Sequence, residues 1–292
     1  AANVKALVEK EQVLALFMIR GTPQNQAVLP LLEQYDIASI APSTGAMLLY
    51  APVNRHVFNV RSPYQAEAQR AIEQLASMGT ARIAVFKTHD AFGEDACAGA
   101  THGFAKARLE PVLVRSFDKA APRFDDLAIE LNKANAQAVL ILGTGSAVVK
   151  AVREIRHAGS KATVVTLSNN ASDGFVHELG ELARGVIVTQ VFPGEDANTL
   201  AMVRDAATLL HVPHPQTRLS PAMIEGFAGA RVLVEALRRA GAHPTRKSVL
   251  DALNGLESFD LGGIKVHYSP SDHSGLHYTD LSVIDAQGRF QR

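Results

Sequence analysis

Residues 138–167 read AVLILGTGSAVVKAVREIRHAGSKATVVTL, and this stretch decides the fold class. Five aliphatic residues, 138–142, come before a segment, 145–158, in which valine and isoleucine recur at helical spacing. Gly159 stands where a helix commonly ends, and a second β-branched run occupies 163–167. Strand, helix and strand in this order predict a βαβ unit, because the strands of a parallel sheet are buried on both faces.

The same pattern recurs along the chain, about every 25 residues from position 82 onward. Further helices are predicted at 65–78, which is closed by Gly79, and at three consecutive segments after residue 190. The tail from 261 returns to a β pattern with Gly and Asp turns. The predicted strands occupy 13–19, 36–41, 56–60, 82–86, 112–117, 138–142, 163–167 and 186–190, and the three late helices occupy 196–211, 220–240 and 245–254.

This order predicts an α/β fold of two doubly wound parallel-sheet lobes that are joined by a hinge with several crossings. The first lobe comprises 1–60 plus 192–278, and the second comprises 61–191 plus 279–292. Such an arrangement is typical of proteins that close on a ligand in a cleft. The long helix 220–240, with Ser220 as N-cap and Pro221 at its first position, is apolar nearly all round, so we expect it to be well buried.

Composition excludes several classes of protein. Lys plus Arg and Asp plus Glu number 29 each, and no basic stripe suggests a nucleic acid partner. No apolar run approaches the roughly 20 residues of a membrane-spanning helix. The single cysteine, Cys97, cannot form an internal disulfide and is interpreted as a packing residue. The charged start, 1–11, is not a signal peptide, and we expect the sequence to begin inside a longer protein.

Right-handed crossovers place every strand-to-helix turn at the carboxyl edge of its sheet, where α/β proteins bind ligands. These turns are rich in hydroxyls, amides and glycines, which suit a carboxylate or another small polar group. Tyr64, Asp90 and Asn169 are candidate ligand contacts on this basis. The full set of turns is 21–25, 42–45, 61–64, 87–93, 143–146 and 168–171.

Each turn also has a purely structural explanation. Ser43, Thr44 and Ser146 are equally explained as N-caps of the helices that follow them. Asp90 and Glu94 are better explained by the favourable effect of acids at a helix start than by acid/base chemistry. No P-loop, dinucleotide fingerprint or GxSxG elbow is present, so no cofactor or catalytic residue is predicted.

Five histidines are candidate metal ligands by residue type. Their spacing fits no known ligand signature, so no metal is predicted and we expect them to be solvated turn residues. The residues concerned are His211, His214, His267, His273 and His277, with Asp272 and Asp280 nearby.

The ordered motifs resemble the type I periplasmic binding proteins, in particular the leucine/isoleucine/valine-binding branch that feeds ABC importers. The resemblance covers essentially the whole chain and depends on the order of individually weak motifs. It also implies that about 60 residues, forming the first βαβ unit, precede this sequence in the family. The matching segments are ALVEKEQVLALFMIRGT, IASIAPSTGA, RHVFNVRSPYQAEAQ, RIAVFKTHDAFGEDA, GFAGARVLVEAL and FDLGGIKVHYSPSDHSG with DLSVIDAQGRF.

The resemblance assigns roles to particular positions. The α-carboxylate contacts of the family fall on Thr22 and on Ser43, Thr44 and Gly45. A cleft-lining aromatic falls on Phe92, and a contact from the second lobe falls on Thr144. The acid that pairs with an amino group falls on Ser168. Because a buried ammonium without a counter-charge is costly, a carboxylate without an ammonium, or an amide, is favoured over an ordinary amino acid unless Asp90 or a residue outside this sequence supplies the charge.

Three functions are therefore open at this point. The first is a monomeric, periplasmic solute-binding protein that holds a small carboxylate, amino-acid-like or amide ligand in its interlobe cleft, unchanged, and presents it to the membrane permease of an ABC transporter. The second is a cytoplasmic, amide-sensor-like regulatory receptor of the same fold. The third is a cleft enzyme that uses Asp90 or His89.

Overall fold

The computed structural model describes residues 1–120 and 122–292, and the chain divides into two compact units. The first unit comprises Ala1–Pro63, Glu195–Leu219 and Met223–Tyr278. The second comprises Tyr64–Gly194, Ser220–Ala222 and Thr279–Arg292. The chain therefore passes between the units several times, and each unit has an α/β composition of its own.

The second unit is built on a seven-stranded sheet. Its strands are β4 (Ile83–Thr88), β5 (Leu113–Phe117), β6 (Ala138–Leu142), β7 (Thr163–Thr166), β8 (Ile187–Gln190), β12 (Asp280–Ile284) and β13 (Phe290–Gln291), in the order β13-β12-β8-β7-β6-β4-β5. The five strands from β4 to β8 are parallel. At one side of them, β12 pairs antiparallel with β8, and β13 pairs antiparallel with β12. All five residues of β6 are buried, as its uninterrupted aliphatic sequence predicts.

Helices cover both faces of this sheet. One face packs against α3 (Tyr64–Ser77) and α4 (Ala91–Ala107), and the other packs against α5 (Asp125–Lys133), α6 (Ser146–His157) and α7 (Asp173–Leu179). Side chains therefore alternate along a strand between two apolar cores: Val85 faces α3 and α4, whereas Phe86 faces the opposite layer. This is the doubly wound arrangement expected from right-handed βαβ crossovers.

Two glycines allow α3 and α4 to approach closely. A Cβ atom on Gly99 would lie 2.3 Å from the Cα and carbonyl oxygen of Gln65, and one on Gly103 would lie 2.8 Å from the carbonyl oxygen of Gln69. Glycine at these two positions of α4 therefore fixes the distance between the helices.

The first unit contains a short parallel sheet and a separate antiparallel one. The parallel sheet has the order β1 (Ala15–Phe17), β2 (Ala38–Ile40) and β3 (Val57–Phe58). The antiparallel sheet has the order β11 (Asp272–Gly275), β10 (Lys265–Ser269) and β9 (Phe259–Asp260). The helices are α1 (Ala2–Glu9), α2 (Thr22–Gln34), α8 (Ala201–His211), α10 (Arg246–Asn254) and, from Met223 onward, α9 (Pro221–Ala240).

Helix α9 begins and ends where its sequence predicts, with Pro221 first and Gly241 in a left-handed conformation after its last residue. As expected, most apolar residues of α9 are buried or half-buried, but not all of them are. Met223 is exposed. Val234, which lines a groove beside α8, is 63% exposed to solvent. None of the helices in the described part of the chain is both long enough and apolar enough to cross a membrane.

Candidate functional site

In the first unit, two turns meet at the carboxyl ends of β1 and β2. Ser43 pairs with Arg20 as an isolated parallel bridge, in which the Ser43 amide donates to the carbonyl of Ile19 over 3.0 Å. Asn25 donates to the carbonyls of Ile19 and Gly21, at 2.8 Å each, and so fixes the first turn from inside α2. The two sequence-predicted turns, one before Thr22 and one around Thr44, are therefore neighbours in space.

The hydroxyls of Thr22 and Thr44 lie 2.9 Å apart and share a hydrogen bond, and both residues are almost fully buried. Two hydroxyls that share one bond use one of their two hydrogens, so one O–H remains able to donate to another group. The pair therefore fixes both side chains and still offers a donor.

The turn around Ser43 does not cap an α-helix. A single 3₁₀ turn, Met47–Leu49, follows it, and its N-cap is Ala46 without a side-chain bond. The explanation of Ser43 and Thr44 as helix caps is therefore wrong. Among the described residues, the backbone amides of Thr44 and Gly45 have no hydrogen-bond acceptor. Adjacent free N–H groups in a turn are suited to an anionic oxygen.

In the second unit, the turn after β4 is organised by Asp90. This carboxylate caps α4: it accepts from the Gly93 amide at 3.0 Å and from the Thr88 hydroxyl at 2.8 Å. The expectation that acids here serve the helix start is confirmed for Asp90. Glu94 also lies in the first turn of α4, as expected, and it forms an ion pair with Lys87.

Two candidate aromatics contact each other in the second unit. Phe92, in the first turn of α4, packs edge-to-face against Tyr64, the first residue of α3, with ring centroids 4.8 Å apart. Both are buried and belong to the core between the sheet and these helices. They form an apolar wall beside the turn of Asp90.

The turns after β6 and β7 are tied together by an asparagine pair. Asn170 donates to the carbonyl of Gly143 and accepts from the amide of Gly145, and Asn169 also donates to Gly143 over 3.1 Å. Gly145, with φ of 48°, is the N-cap of α6, so the expectation that Ser146 caps this helix was wrong. Thr144, between the two glycines, is half-buried.

Ser168, at the position where the resemblance expected an acid, contacts an acid from elsewhere in the chain. Its amide donates to Glu67 Oε2 over 2.9 Å, and the Thr189 hydroxyl donates to the same oxygen. Glu67 lies on α3 and is fully buried. Sequence reasoning missed it, although its position one turn before Ala71, on the apolar face of the helix, was a signal.

A second buried acid was also missed. Arg61 and Glu225 form an ion pair in the first unit, with Nη1 3.3 Å from Oε1 and 3.4 Å from Oε2. Arg61 is 1% exposed, and its carbonyl accepts from the Tyr50 hydroxyl. The partners are 164 residues apart in sequence, so no local pattern could have revealed the pair.

The histidines do not form a metal site within the described residues, where no group of three or more His, Cys, Asp or Glu side chains is arranged to hold an ion. His211, His214, His267 and His277 are exposed, as expected. The expectation of a solvated turn was wrong for His273, which is buried and stacks on Phe58 with a centroid distance of 4.4 Å.

His273 is held as a neutral ring. Its Nδ1 lies 2.9 Å from the carbonyl of Val57 and 3.1 Å from that of Asn54, so Nδ1 carries the hydrogen. Its Nε2 is buried without a partner among the described residues. Burial lowers the pKa of this imidazole, because protonation of Nε2 would place a charge in an apolar site.

Cys97 packs against the core of the second unit and is half-buried. Burial raises the pKa of its thiol, which keeps it in the unreactive protonated form. This environment agrees with its interpretation as a packing residue.

The comparisons with known proteins place these features in a family. The sequence profile of the family described as Periplasmic binding protein matches residues 1–289. None of the curated proteins matches the chain in sequence.

Solved structures share the fold across the whole chain. A possible leucine/isoleucine/valine-binding protein from Rhodopirellula baltica SH 1 is 25% identical, with a TM-score of 0.91 over 100% of this chain and 81% of that one. A substrate-binding periplasmic protein from Ralstonia solanacearum is 27% identical, with a TM-score of 0.91 over 99% and 83%. A branched-chain amino acid ABC transporter protein from Thermus thermophilus, with bound valine, is 18% identical, with a TM-score of 0.84 over 99% and 79%, and shares the fold. These matches confirm the predicted α/β fold class and the resemblance to type I periplasmic binding proteins.

Proposed function

Because the chain belongs to the periplasmic binding protein family, we propose that it is the solute-binding component of an ABC importer that holds a small carboxylate ligand and releases it unchanged. Proteins of this family bind small molecules outside the cytoplasm. We therefore assign this chain to the periplasm. We also propose that it is a monomer and that its partner is a membrane permease. The family membership supports binding, and the ligand class comes from the site itself.

One observation carries the ligand class. The turn at Ser43 presents two adjacent backbone amides, those of Thr44 and Gly45, that have no acceptor among the described residues. Beside them, the Thr22–Thr44 hydroxyl pair retains one hydrogen to donate. These three donors lie on two neighbouring turns, and together they suit a carboxylate, whose two oxygens accept several hydrogen bonds.

We propose further ligand contacts at the turns of the second unit, taken by itself. Asp90, Thr144, Ser168 and Asn169 provide polar groups there, next to the buried aromatic pair Tyr64 and Phe92. One carboxylate oxygen of Asp90 already accepts two hydrogen bonds in the cap of α4. Asp90 therefore has less acceptor capacity left for a ligand than a carboxylate without protein partners.

An α-ammonium group is disfavoured in this proposal. Ser168 supplies no charge, and Asp90 is already engaged as the cap of α4 through one carboxylate oxygen. The Glu67 carboxylate is fully buried and engaged by the Ser168 amide and the Thr189 hydroxyl. A buried ammonium needs a charged partner to offset its lost hydration. Short aliphatic or aromatic acids, and acids that carry an amide, are therefore the proposed ligands.

Calorimetry with leucine, valine and a panel of organic acids tests the proposal. We expect an organic acid to bind more tightly than either amino acid, and Thr44→Val to weaken that binding by about tenfold, the equivalent of one hydrogen bond to a charged group. Thr199→Val, an exposed threonine in the same unit, is the matched control. Tight leucine binding would contradict the ligand class, and recovery of an altered ligand by mass spectrometry would contradict simple binding.

A further inference from the structure

Arg20 lies beside the turn of the first unit whose backbone amides are proposed to bind the ligand. It pairs with Ser43 as an isolated parallel bridge. The Ser43 amide donates to the carbonyl of Ile19 over 3.0 Å, and the Gly21 amide donates to the carbonyl of Ser43 over 3.5 Å. Neighbouring segments of a sheet lie about 4.8 Å apart. Because Thr44 directly follows Ser43, the Arg20 backbone is close to the turn that carries the unpaired amides.

The guanidinium of Arg20 has no partner within the protein. The side chain is exposed, and it forms no hydrogen bond or ion pair with the described residues. Every other arginine of the first unit, all of whose residues the structure describes, has a partner. Examples are Arg55 with Asp36, Arg61 with Glu225 and Arg231 with Asp205.

The loops that follow the three parallel strands of the first unit contain no acidic residue. Their charged residues are Arg20 and Arg61, and Arg61 is neutralised by its buried ion pair with Glu225. Arg20 therefore gives these loops one uncompensated positive charge. Such a charge attracts anions, and the planar guanidinium matches the geometry of a carboxylate. The loops are 18–25, 41–46 and 59–63.

The backbone at the same edge of the sheet is strained. Met18, directly after β1, has a φ of 51°, and Ala41, directly after β2, has a φ of 50°. Residues with a Cβ atom are uncommon in this left-handed region. Two neighbouring strands thus end in the same unfavourable conformation, and strain of this kind clusters at sites that bind ligands. This observation independently supports a binding role for the edge.

We propose that Arg20 makes the site at Thr44 and Gly45 prefer a carboxylate over an uncharged carboxamide. The proposal rests on the proposed function and assigns the choice between acid and amide to one side chain. The backbone amides and the threonine hydroxyl are neutral donors, which also fit the oxygen of a carboxamide. Arg20 adds the charged donor. Its flexible side chain is longer than the spacing between its own strand and Ser43, so the guanidinium can reach an anion bound at the turn.

Calorimetry on the full chain with matched acids and amides tests this role. The probes are 4-methylpentanoate with 4-methylpentanamide, benzoate with benzamide, and the tightest-binding acid of the panel with its primary amide. We expect the unaltered protein to bind an acid at least about tenfold more tightly than its amide, which corresponds to one hydrogen bond to a charged group. Raising the sodium chloride concentration from about 20 mM to about 500 mM should weaken acid binding and leave amide binding unchanged, because salt screens an exposed charge.

Substitutions of Arg20 separate its charge from its shape. Arg20→Met keeps the length of the side chain, and it should abolish both the preference for the acid and the salt dependence. Arg20→Lys retains the charge and should retain most of the preference. Arg20→Gln repeats the neutral change in case Arg20→Met does not fold, as judged by circular dichroism. Arg184→Met removes an exposed arginine before β8 in the second unit, and this matched control should change neither quantity.

The outcomes distinguish this role from the proposed function. If acids bind and the preference over amides is the same in Arg20→Met as in the unaltered protein, the role of Arg20 is overturned while the proposed function stands. An equal loss of acid and amide binding in Arg20→Met also overturns it, since Arg20 then acts through the structure of the turn. If no acid of the panel binds, the proposed function is overturned together with the role of Arg20.

Discussion

The backbone amide of Ser168 donates to the buried carboxylate of Glu67 over 2.9 Å, which joins the turn after β7 to helix α3. The Thr189 hydroxyl donates to the same oxygen, so one side chain holds the carboxyl ends of two adjacent strands. Glu67 thereby acts as a structural acceptor at the edge of the sheet where the candidate ligand turns lie.

Replacement of Glu67 should reveal this structural role. Glu67→Leu leaves two donors unpaired in the interior and should lower the free energy of unfolding by about 2–4 kcal/mol. Glu67→Gln retains an acceptor oxygen for both donors and should cost only about 1 kcal/mol. Urea denaturation measures both, with the exposed Glu178→Gln as control. Equal losses in the two variants would mean that the charge, rather than the hydrogen bonds, matters.

Because α3 and α4 are in close contact, replacement of a glycine by alanine should have opposite effects on stability inside and outside this contact. Gly99→Ala would place a methyl 2.3 Å from the backbone of Gln65, so it should destabilise the protein by about 1–3 kcal/mol through overpacking. Gly174→Ala, in α7, meets nothing within 4 Å and should be stabilising by up to about 1 kcal/mol. Thermal denaturation distinguishes the two, and a neutral Gly99→Ala would show that the helices are not in fixed contact.

The buried pair Arg61 and Glu225 should be costly to break from one side. Glu225→Leu should lower the free energy of unfolding by about 3–5 kcal/mol, because the guanidinium loses a partner in a buried site. The double variant Arg61→Met with Glu225→Leu should recover part of that loss, since it removes both charges. If the loss of unfolding free energy in the double variant equals the sum of the losses in Glu225→Leu and Arg61→Met, the two side chains are not directly coupled.

His273 predicts that stability falls on acidification. Its pKa in the folded protein is lowered from 6.5, whereas the unfolded chain retains the ordinary value. Below pH 6.5 the unfolded chain therefore binds a proton that the native protein excludes, so the free energy of unfolding decreases as the pH falls toward the native pKa. Above pH 6.5 the ring is neutral in both states and contributes no pH dependence.

Comparison of His273→Gln with the unaltered protein isolates this effect. Urea denaturation at pH 7.5 and pH 5.5 should show a smaller pH dependence in the variant, by up to about 1.4 kcal/mol for each pH unit between the two pKa values. His214→Gln removes an exposed histidine and should leave the pH dependence as it was. An unchanged pH dependence in His273→Gln would contradict the neutral buried ring.

Local signals in the sequence were sufficient for the architecture. The aliphatic run 138–142 becomes the fully buried strand β6, and Gly159 and Gly79 adopt the left-handed conformation that their positions after helices predict. Pro221 begins α9 as expected. These features depend on residues within a few positions of one another, which is why periodicity and capping chemistry reveal them.

Features that depend on distant residues were not predictable. Glu67 meets Thr189, and Arg61 meets Glu225, across more than 100 residues of sequence. Gly145 rather than Ser146 caps α6, because Asn170 from the next turn accepts the Gly145 amide. His273 resembles a turn residue in sequence, but it is buried by Phe58 and Tyr268.

The candidate ligand turns were predictable from the sequence only in part. Their place at the carboxyl ends of strands follows from the βαβ pattern, and in the first unit Thr22 and Thr44 are in contact. Which atoms remain free to bind a ligand depends on hydrogen bonds that only the folded chain defines. The unpaired amides of Thr44 and Gly45 and the unpaired oxygen of Asn169 belong to this second kind of information.

Amide-resolved NMR of ¹⁵N-labelled protein tests whether the backbone amides of Thr44 and Gly45 bind a carboxylate, as we propose. Titration with the tightest-binding acid of the panel should move the Thr44 and Gly45 amide protons downfield, as expected when an N–H group gains a charged acceptor. The amide of Ser43, which already donates to Ile19, should move much less. Saturable binding that leaves the Thr44 and Gly45 resonances in place would contradict the account.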